Sequence, residues 1–260
     1  MLNKIQRCIL ANILNKSPDY IFFHEKDLFL TPEILSELNN CLEEYNKGKP
    51  LSKITHKKAF WNHEFYVTDD TLDPRQDSEV IIEAVLANVD KYDAVKILDI
   101  GTGTGCLVIS LLDELANATA IATDISEAAL NVAKINANNI INSERIKFIK
   151  SNYCNTINEE FDIIVSNPPY IRTDDISGLS DSVKLYDPII ALDGGKDGLG
   201  AYRKIAVEAK RLLSNNGLLF LEVGYDQMQS VCDIFQNASF SVKSIYKDTL
   251  NIERVVVIKK

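Results

Sequence analysis

The run Ser166-Asn167-Pro168-Pro169-Tyr170 concentrates more chemistry than any other stretch of this 260-residue chain. Two successive prolines fix φ near about −65° and withhold two backbone donors, so a strand entering here must stop and leave carbonyls free. Asn167 adds a side-chain carbonyl and Tyr170 a ring, so the turn can accept both N–H bonds of a planar –NH2 group with an aromatic face alongside. Such an arrangement suits a poor nitrogen nucleophile. In a carboxamide or an aromatic amine the lone pair is tied up in resonance. Acceptors on its N–H bonds return electron density to nitrogen and hold it in line. An ordinary Pro-Pro loop is the alternative. The apolar run Phe161-Asp162-Ile163-Ile164-Val165 directly before the turn reads as a buried strand with a polar tip, which favours the chemical reading.

A second cluster lies upstream. Lys96-Ile97-Leu98-Asp99-Ile100 runs into Gly101-Thr102-Gly103-Thr104-Gly105-Cys106, and Leu107-Val108-Ile109 opens a helix. Strand, glycine-rich turn and helix make the first βα unit of a doubly wound sheet, in which the turn passes close under a nucleoside. Ala120-Ile121-Ala122-Thr123-Asp124 supplies a second strand ending in a carboxylate able to chelate two ribose hydroxyls. A dinucleotide site has the same parts with glycines spaced Gly-x-Gly-x-x-Gly. The Gly-x-Gly-x-Gly spacing here favours S-adenosylmethionine over NAD. Methyl transfer from a sulfonium is an in-line displacement that needs no metal. No metal site is expected: His24, His56 and His63 are scattered and read as surface or loop residues. Cys8, Cys41, Cys106, Cys154 and Cys232 are odd in number and far apart, with no Cys-x-x-Cys spacing. They read as reduced, mostly buried thiols.

Composition narrows the class. A chain 46% hydrophobic and 25% charged supports a large core with a smaller second domain. A formal net charge of −9 without a long Lys/Arg run argues against direct nucleic-acid binding. The start of the chain is broken by Gln6, Arg7 and Asn12, so no uninterrupted apolar span is present and a cytoplasmic, membrane-free protein is expected.

The elements that must position these residues follow from periodicity. Ile5, Ile9, Leu10, Ile13 and Leu14 predict a helix over 2–14, ended by Asn15-Lys16-Ser17-Pro18-Asp19. Thr31 caps a second helix with Pro32 at its first position and Ile34, Leu35, Leu38, Leu42 and Tyr45 on one face. Phe60 to Thr68 predicts a β-hairpin around a polar Asn62-His63-Glu64 turn. Ser78 or Asp77 is expected to cap the helix that buries Val80, Ile81, Ala84, Val85 and Leu86. Arg75, between hairpin and core, is either a solvated charge or a substrate or cofactor contact. The alternation continues with helix 127–138, strands 146–149 and 163–165, helix 202–213 and strand 218–223. The β-type runs 239–246 and 254–258 have no long helix between them, so an antiparallel pair at one side of the sheet is expected. Residues 171–200 read as an irregular loop or lid on the substrate side. Glu222 is weighed as a pocket or a structural carboxylate, and Tyr202 and Arg203 as helix-surface and packing residues.

Seven strands with that ending describe an α/β fold, the Rossmann-like class I S-adenosylmethionine-dependent methyltransferase architecture with an antiparallel last strand, plus a small helical domain. Asp99 to Gly105, Asp124-Ile125-Ser126, Asn167 to Ile171, Asp197-Gly198-Leu199, Tyr202 to Ile205 and Leu221-Glu222-Val223-Gly224 together resemble the PrmC/HemK family, the peptide-chain release factor glutamine N5-methyltransferases. The Asn-Pro-Pro-Tyr tetrad is shared with amino-adenine methyltransferases, whereas the Trp61 hairpin and the segment from Leu72 to Glu79 belong to this family's pattern. The chain departs from it in two places. Asp73-Pro74-Arg75-Gln76-Asp77-Ser78-Glu79 stands where the family usually reads Ile-Pro-Arg-Pro-Asp-Thr-Glu, and Asp187-Pro188 where it reads Glu-Pro.

The resemblance implies methyl transfer from S-adenosyl-L-methionine, with S-adenosyl-L-homocysteine as product, to the glutamine of the Gly-Gly-Gln motif in class I peptide-chain release factors. Ribosomal-protein glutamine or adenine in nucleic acid are the alternative acceptors. It also implies residue roles. Gly101, Thr102, Gly103, Thr104 and Gly105 would cradle the methionine portion, Asp124 the ribose, and Asn152 would lie near the adenine. Asn167 and Pro168 would bind the amide within the catalytic turn completed by Pro169 and Tyr170, with Asn167 also beside the cofactor. The implied domains are a five-helix-like docking domain over 1–55, a linking β-hairpin over 56–76 and the methyltransferase domain over 77–260.

Overall fold

The computed structural model describes residues 2–141 and 143–260; Met1, where the expected first domain begins, and Asn142 lie outside the described residues. Helix α1 (Lys4–Ile13) opens with a capping box: the Gln6 N–H donates to Asn3 Oδ1 and the Asn3 N–H to Gln6 Oε1, each at 2.9 Å. The segment expected only to end this helix starts another, α2 (Pro18–His24), because Ser17 caps it and Pro18 occupies its first turn. Helix α3 (Pro32–Asn46) begins at the Thr31 cap as expected, and the short α4 (Leu51–Thr55) follows. Among the described residues four helices therefore make the bundle, and Ile9, Leu10, Ala11, Ile21, Leu38 and Ile54 form its own core.

Strands β1 (Lys57–Phe60) and β2 (His63–Tyr66) form the hairpin, but its turn is Trp61-Asn62 rather than residues 62–64, since Phe60 pairs directly with His63. That register places Phe60 and Phe65 on one buried face with their rings edge to face at 6.1 Å, which leaves two residues for the turn. The hairpin does more than link. Phe60 and Phe65 join the core beneath α5 (Glu79–Leu86), and Asn136 brackets Tyr66 by accepting from its N–H and donating to its carbonyl.

The chain then alternates through β3 (Lys96–Ile100), α6 (Cys106–Glu114), β4 (Thr119–Asp124), α7 (Glu127–Ile140), β5 (Ile146–Lys150) and β6 (Phe161–Ser166). The irregular segment 171–200 contains the one-turn α8 (Asp181–Lys184). After it come α9 (Gly200–Leu212), β7 (Leu213–Glu222), α10 (Met228–Asn237), β8 (Ser241–Lys247) and β9 (Glu253–Lys259). Helix α10 was not anticipated, although Met228, Val231, Cys232 and Phe235 are buried at helical spacing. Among the described residues the sheet has seven strands in the order β5-β4-β3-β6-β7-β9-β8. It is parallel as far as β7 and antiparallel at β7–β9 and β9–β8. This is the expected α/β fold.

Strand periodicity builds two cores. Ile97, Ile163, Val165, Phe220, Val255 and Val257 face α5, α6 and α7, while Leu98, Ile164, Leu219, Leu221, Val256 and Ile258 face α9 and α10. All five cysteines are free, but only Cys154 and Cys232 are buried. Cys8 and Cys41 sit on amphipathic helices and Cys106 at a helix start, where part of the side chain stays exposed.

Candidate active site

Strands β3 and β6 are parallel neighbours with Asp99 opposite Val165, so the glycine turn leaving β3 and the proline turn leaving β6 open side by side at the carboxyl end of the sheet. Ser166 ties them together, its hydroxyl donating to the Ile100 carbonyl at 2.7 Å. Above these ends lies a cavity of about 360 Å³. Its wall includes Gly101, Thr102, Gly103, Thr104, Asp124, Asn152, Asn167, Pro168 and Pro169. Of the site residues expected from the sequence, these line the cavity and two, Gly105 and Tyr170, do not. Gly105 lies behind the wall, where an added Cβ would come within 2.7 Å of Ile109 Cδ1 and 3.2 Å of Ala133 Cβ, so its role there is to let α6 approach α7. Tyr170 is half-buried and sends its hydroxyl away from the cavity.

The glycine side is mostly backbone. Gly101 and Gly103 hold φ of +73° and +55°, and an added Cβ at either would meet nothing within 4 Å, so peptide groups themselves form the open wall. Asp124 Oδ2 accepts the Gly103 N–H and Oδ1 the Ser126 N–H, each at 2.9 Å, which fixes the carboxylate plane at the cavity edge. Burial raises its pKa and those hydrogen bonds oppose the rise. Beneath the turn, Asp99 Oδ2 accepts from the Thr102 hydroxyl at 2.7 Å, and Asp99 Oδ1 is buried without a hydrogen-bond partner among the described residues. Burial, reinforced by the charge of Asp124, pushes the Asp99 carboxyl up to about 7. Asn152 is exposed at the rim. Beside it Tyr153 also lines the cavity, and Lys204 Nζ lies 5.0 Å from its ring centroid.

On the proline side, the Asn167 –NH2 donates to Ser78 Oγ at 2.9 Å, the Ser78 hydroxyl donates to Glu222 Oε2 at 2.5 Å, and the Tyr170 hydroxyl donates to Glu222 Oε1 at 3.2 Å. Glu222 is buried, and burial pushes its carboxyl up to about 7 against these hydrogen bonds. Tyr202 is fully buried and donates to the Glu222 backbone carbonyl at 2.9 Å, while Arg203 pairs with Asp197 on the surface.

Ser78 is the residue that sequence reasoning misplaced: its backbone is helical and its side chain makes no cap, because Glu222 and Asn167 claim it. Only a polar side chain that the fold buries, at 2% exposure, marks it out. Arg75 also lines the cavity, and its Nη2 meets Asp187 Oδ2 at 2.7 Å, so it is not merely a solvated charge. Pro188, Ile190, Ala191 and Asp193 bring the irregular segment over the same cavity. Among the described residues no group of three or more His, Cys, Asp or Glu side chains is placed to hold a metal ion, and no helix is long and apolar enough to cross a membrane.

A family model described as "Methyltransferase small domain" matches residues 68–181. A "Release factor glutamine methyltransferase" of Agrobacterium fabrum is 40% identical over 98% of this chain and 89% of its own length. A "Bifunctional methyltransferase" of Rickettsia typhi is 36% identical over 97% of this chain and 52% of its own length, so the chain spans about half of that relative. A solved methyltransferase from Pyrococcus furiosus superposes with a TM-score of 0.56 at 20% identity over 84% of this chain and 96% of that one, a likeness of fold.

Proposed function

The chain belongs to the release factor glutamine methyltransferase family, and from that premise we propose that it methylates the side-chain amide nitrogen of a glutamine, the one in the Gly-Gly-Gln motif of class I release factors. The methyl donor in this reading is S-adenosyl-L-methionine, and S-adenosyl-L-homocysteine is left. The observation that carries it is the side-by-side opening of two turns on one cavity: a glycine backbone wall with a carboxylate at its edge, and an amide turn whose side-chain carbonyl has no partner among the described residues.

The residues fit the donor. The open backbone at Gly101 and Gly103 has room for the methionine portion where a Cβ would protrude, and Asp124 keeps unshared lone pairs for ribose hydroxyls after its two backbone hydrogen bonds. Asn152 stands at the rim and takes the adenine in this reading. When bound, S-adenosylmethionine supplies an electrophilic methyl group on a sulfonium. Asn167 Oδ1 and the Pro168 carbonyl accept the two N–H bonds of the glutamine amide, which holds the nitrogen in line and offsets the loss of its resonance. Neither acceptor is basic enough to keep the proton released from nitrogen, which passes to water. Pro169 stiffens the turn, and Tyr170 supports it from behind through Glu222.

The test is transfer of labelled methyl groups from S-adenosylmethionine to purified release factors, with ribosomal protein and undermethylated DNA in parallel. Label in the Gly-Gly-Gln glutamine alone is expected. Label only in ribosomal protein or DNA moves the substrate assignment, and no label in any acceptor removes the methyltransferase reading.

A further inference from the structure

We propose that Ser78 and Glu222 are positioning residues that set which end of the Asn167 side-chain amide faces the cavity. An amide presents a carbonyl at one end and –NH2 at the other, and only the carbonyl can receive the N–H of a substrate amide. The proposal rests on the reading of the cavity as a glutamine site.

The order of donors fixes the answer. An ionised Glu222 only accepts, so it takes the Ser78 hydrogen at Oε2 and the Tyr170 hydrogen at Oε1. Ser78 Oγ is then left with lone pairs alone, and the group of Asn167 that can satisfy it is the –NH2, which it meets at 2.9 Å. Asn167 Oδ1 is thereby turned to the cavity. Protonation of Glu222 reverses the logic, because its new hydrogen must be placed on Ser78 Oγ or Tyr170 Oη. Ser78 Oγ, at 2.5 Å against 3.2 Å for Tyr170 Oη, is the closer acceptor and receives it, so the Ser78 hydrogen turns to Asn167 and calls for the amide oxygen. The –NH2 end would then face the substrate –NH2, donor against donor.

The surroundings put this switch within reach of ordinary pH. Glu222 is held up to about 7 first by burial. The Ser78 and Tyr170 hydrogen bonds and the charge of Arg254 on β9 favour its ionised form, and Asp77, before α5, opposes it. The Tyr202 hydroxyl from α9 reaches only its backbone carbonyl, and the Cys106 thiol at the start of α6 is held up to about 12 and stays neutral. Productive orientation is therefore present above about 7 and lost as pH falls below it.

The experiment compares Ser78→Ala, Ser78→Thr and Glu222→Gln with the parent, after circular dichroism shows each folded. Ser78→Ala should lower kcat on a release factor by about 10–100-fold, short of the roughly 10²–10³-fold cost of removing a direct contact, with Kd for S-adenosylmethionine unchanged. Ser78→Thr, which keeps the hydroxyl, should restore most of kcat. Glu222→Gln should abolish the acid limb of the pH–rate profile. In the cofactor-free protein, the Asn167 side-chain amide resonances, identified by their loss in Asn167→Asp, should titrate with a midpoint near 7 in the parent and not in Glu222→Gln. Parent kcat in Ser78→Ala, or an unchanged titration in Glu222→Gln, would overturn the proposal. A parent that methylates no release factor overturns the functional reading instead, while the resonance titration still judges the relay.

Discussion

In the proposed function Asn167 offers the substrate nitrogen one acceptor, which matters most when that nitrogen is aligned on the methyl group, so its loss should appear in turnover more than in binding. Asn167→Ala is expected to lower kcat by roughly 10²–10³ with a smaller change in KM for the release factor. Steady-state kinetics at saturating cofactor check this, and full turnover would leave Asn167 as a turn residue only. Asp124 makes the complementary prediction. Both its oxygens already accept backbone N–H bonds, which orients the remaining lone pairs toward the cavity. Asp124→Ala should weaken S-adenosylmethionine binding by about 1.5–3 kcal/mol, a charge-assisted hydrogen bond's worth. Calorimetric titration of the folded variant measures it, and parent affinity would remove Asp124 from the cofactor site.

Elements meet at a buried ion cluster beside the cavity. Lys53 of α4 is fully buried; its Nζ donates to the Thr68 carbonyl at 2.7 Å and the Thr71 carbonyl at 2.5 Å. It also lies 3.1 Å from Asp73 Oδ1 and 3.3 Å from Asp187 Oδ1. One ammonium thus joins the helical bundle, the segment after the hairpin and the irregular segment over the cavity. Asp187 is drawn up by burial and down by Arg75 and Lys53, the pattern of a carboxylate that depends on its cations. Lys53→Ala takes the ammonium from buried Asp73 and leaves Asp187 with Arg75 alone, and should destabilise the protein by about 3–5 kcal/mol, read from urea unfolding. A change below about 1 kcal/mol would mean that Arg75 and water suffice. Deleting residues 1–55 would remove Lys53 as well, so point substitution is the cleaner probe of the bundle.

Across the whole molecule, two features invite measurement. Asp99 is raised to about 7 from an ordinary 3.8, so the native state holds its proton in a window where the unfolded chain has lost it. Its contribution to stability is full below pH 3.8, falls as pH rises toward 7, and is absent above. Asp99→Asn, which is neutral throughout, should match the parent near pH 4. At pH 8 it should be more stable by about 4 kcal/mol, about 1.4 kcal/mol for each pH unit between 3.8 and about 7, as denaturant unfolding of the cofactor-free protein would show. An equal difference at both pH values would mean that Asp99 stays ionised. The second feature is the outer surface of the bundle, where Phe23 is 76% and Phe29 87% exposed. We propose a docking role for residues 1–55 toward the release factor. Replacing both phenylalanines with Ser should raise KM about tenfold without altering Kd for S-adenosylmethionine. Parent KM would place docking elsewhere.

The sequence by itself determined the parts whose constraints are local. Gly101 and Gly103 are dictated by left-handed backbone, Pro168 and Pro169 end a strand wherever they stand, Asp124 is the last residue of an apolar run, and the missing helix between β8 and β9 forces an antiparallel pair. Strand alternation likewise told which residues are buried, because period 2 puts neighbours on opposite faces. Only the tertiary structure decided partners. Ser78 stands 89 residues from Asn167 and 144 from Glu222, and Lys53 stands 20 residues before Asp73 and 134 before Asp187. Periodicity assigns a side chain to a face but carries no information about which distant group shares it. Strand order decides that, by setting β6 between β3 and β7: Asn167 leaves the end of β6, Glu222 ends the neighbouring β7, and Ser78 just before α5 joins the two by accepting from one and donating to the other.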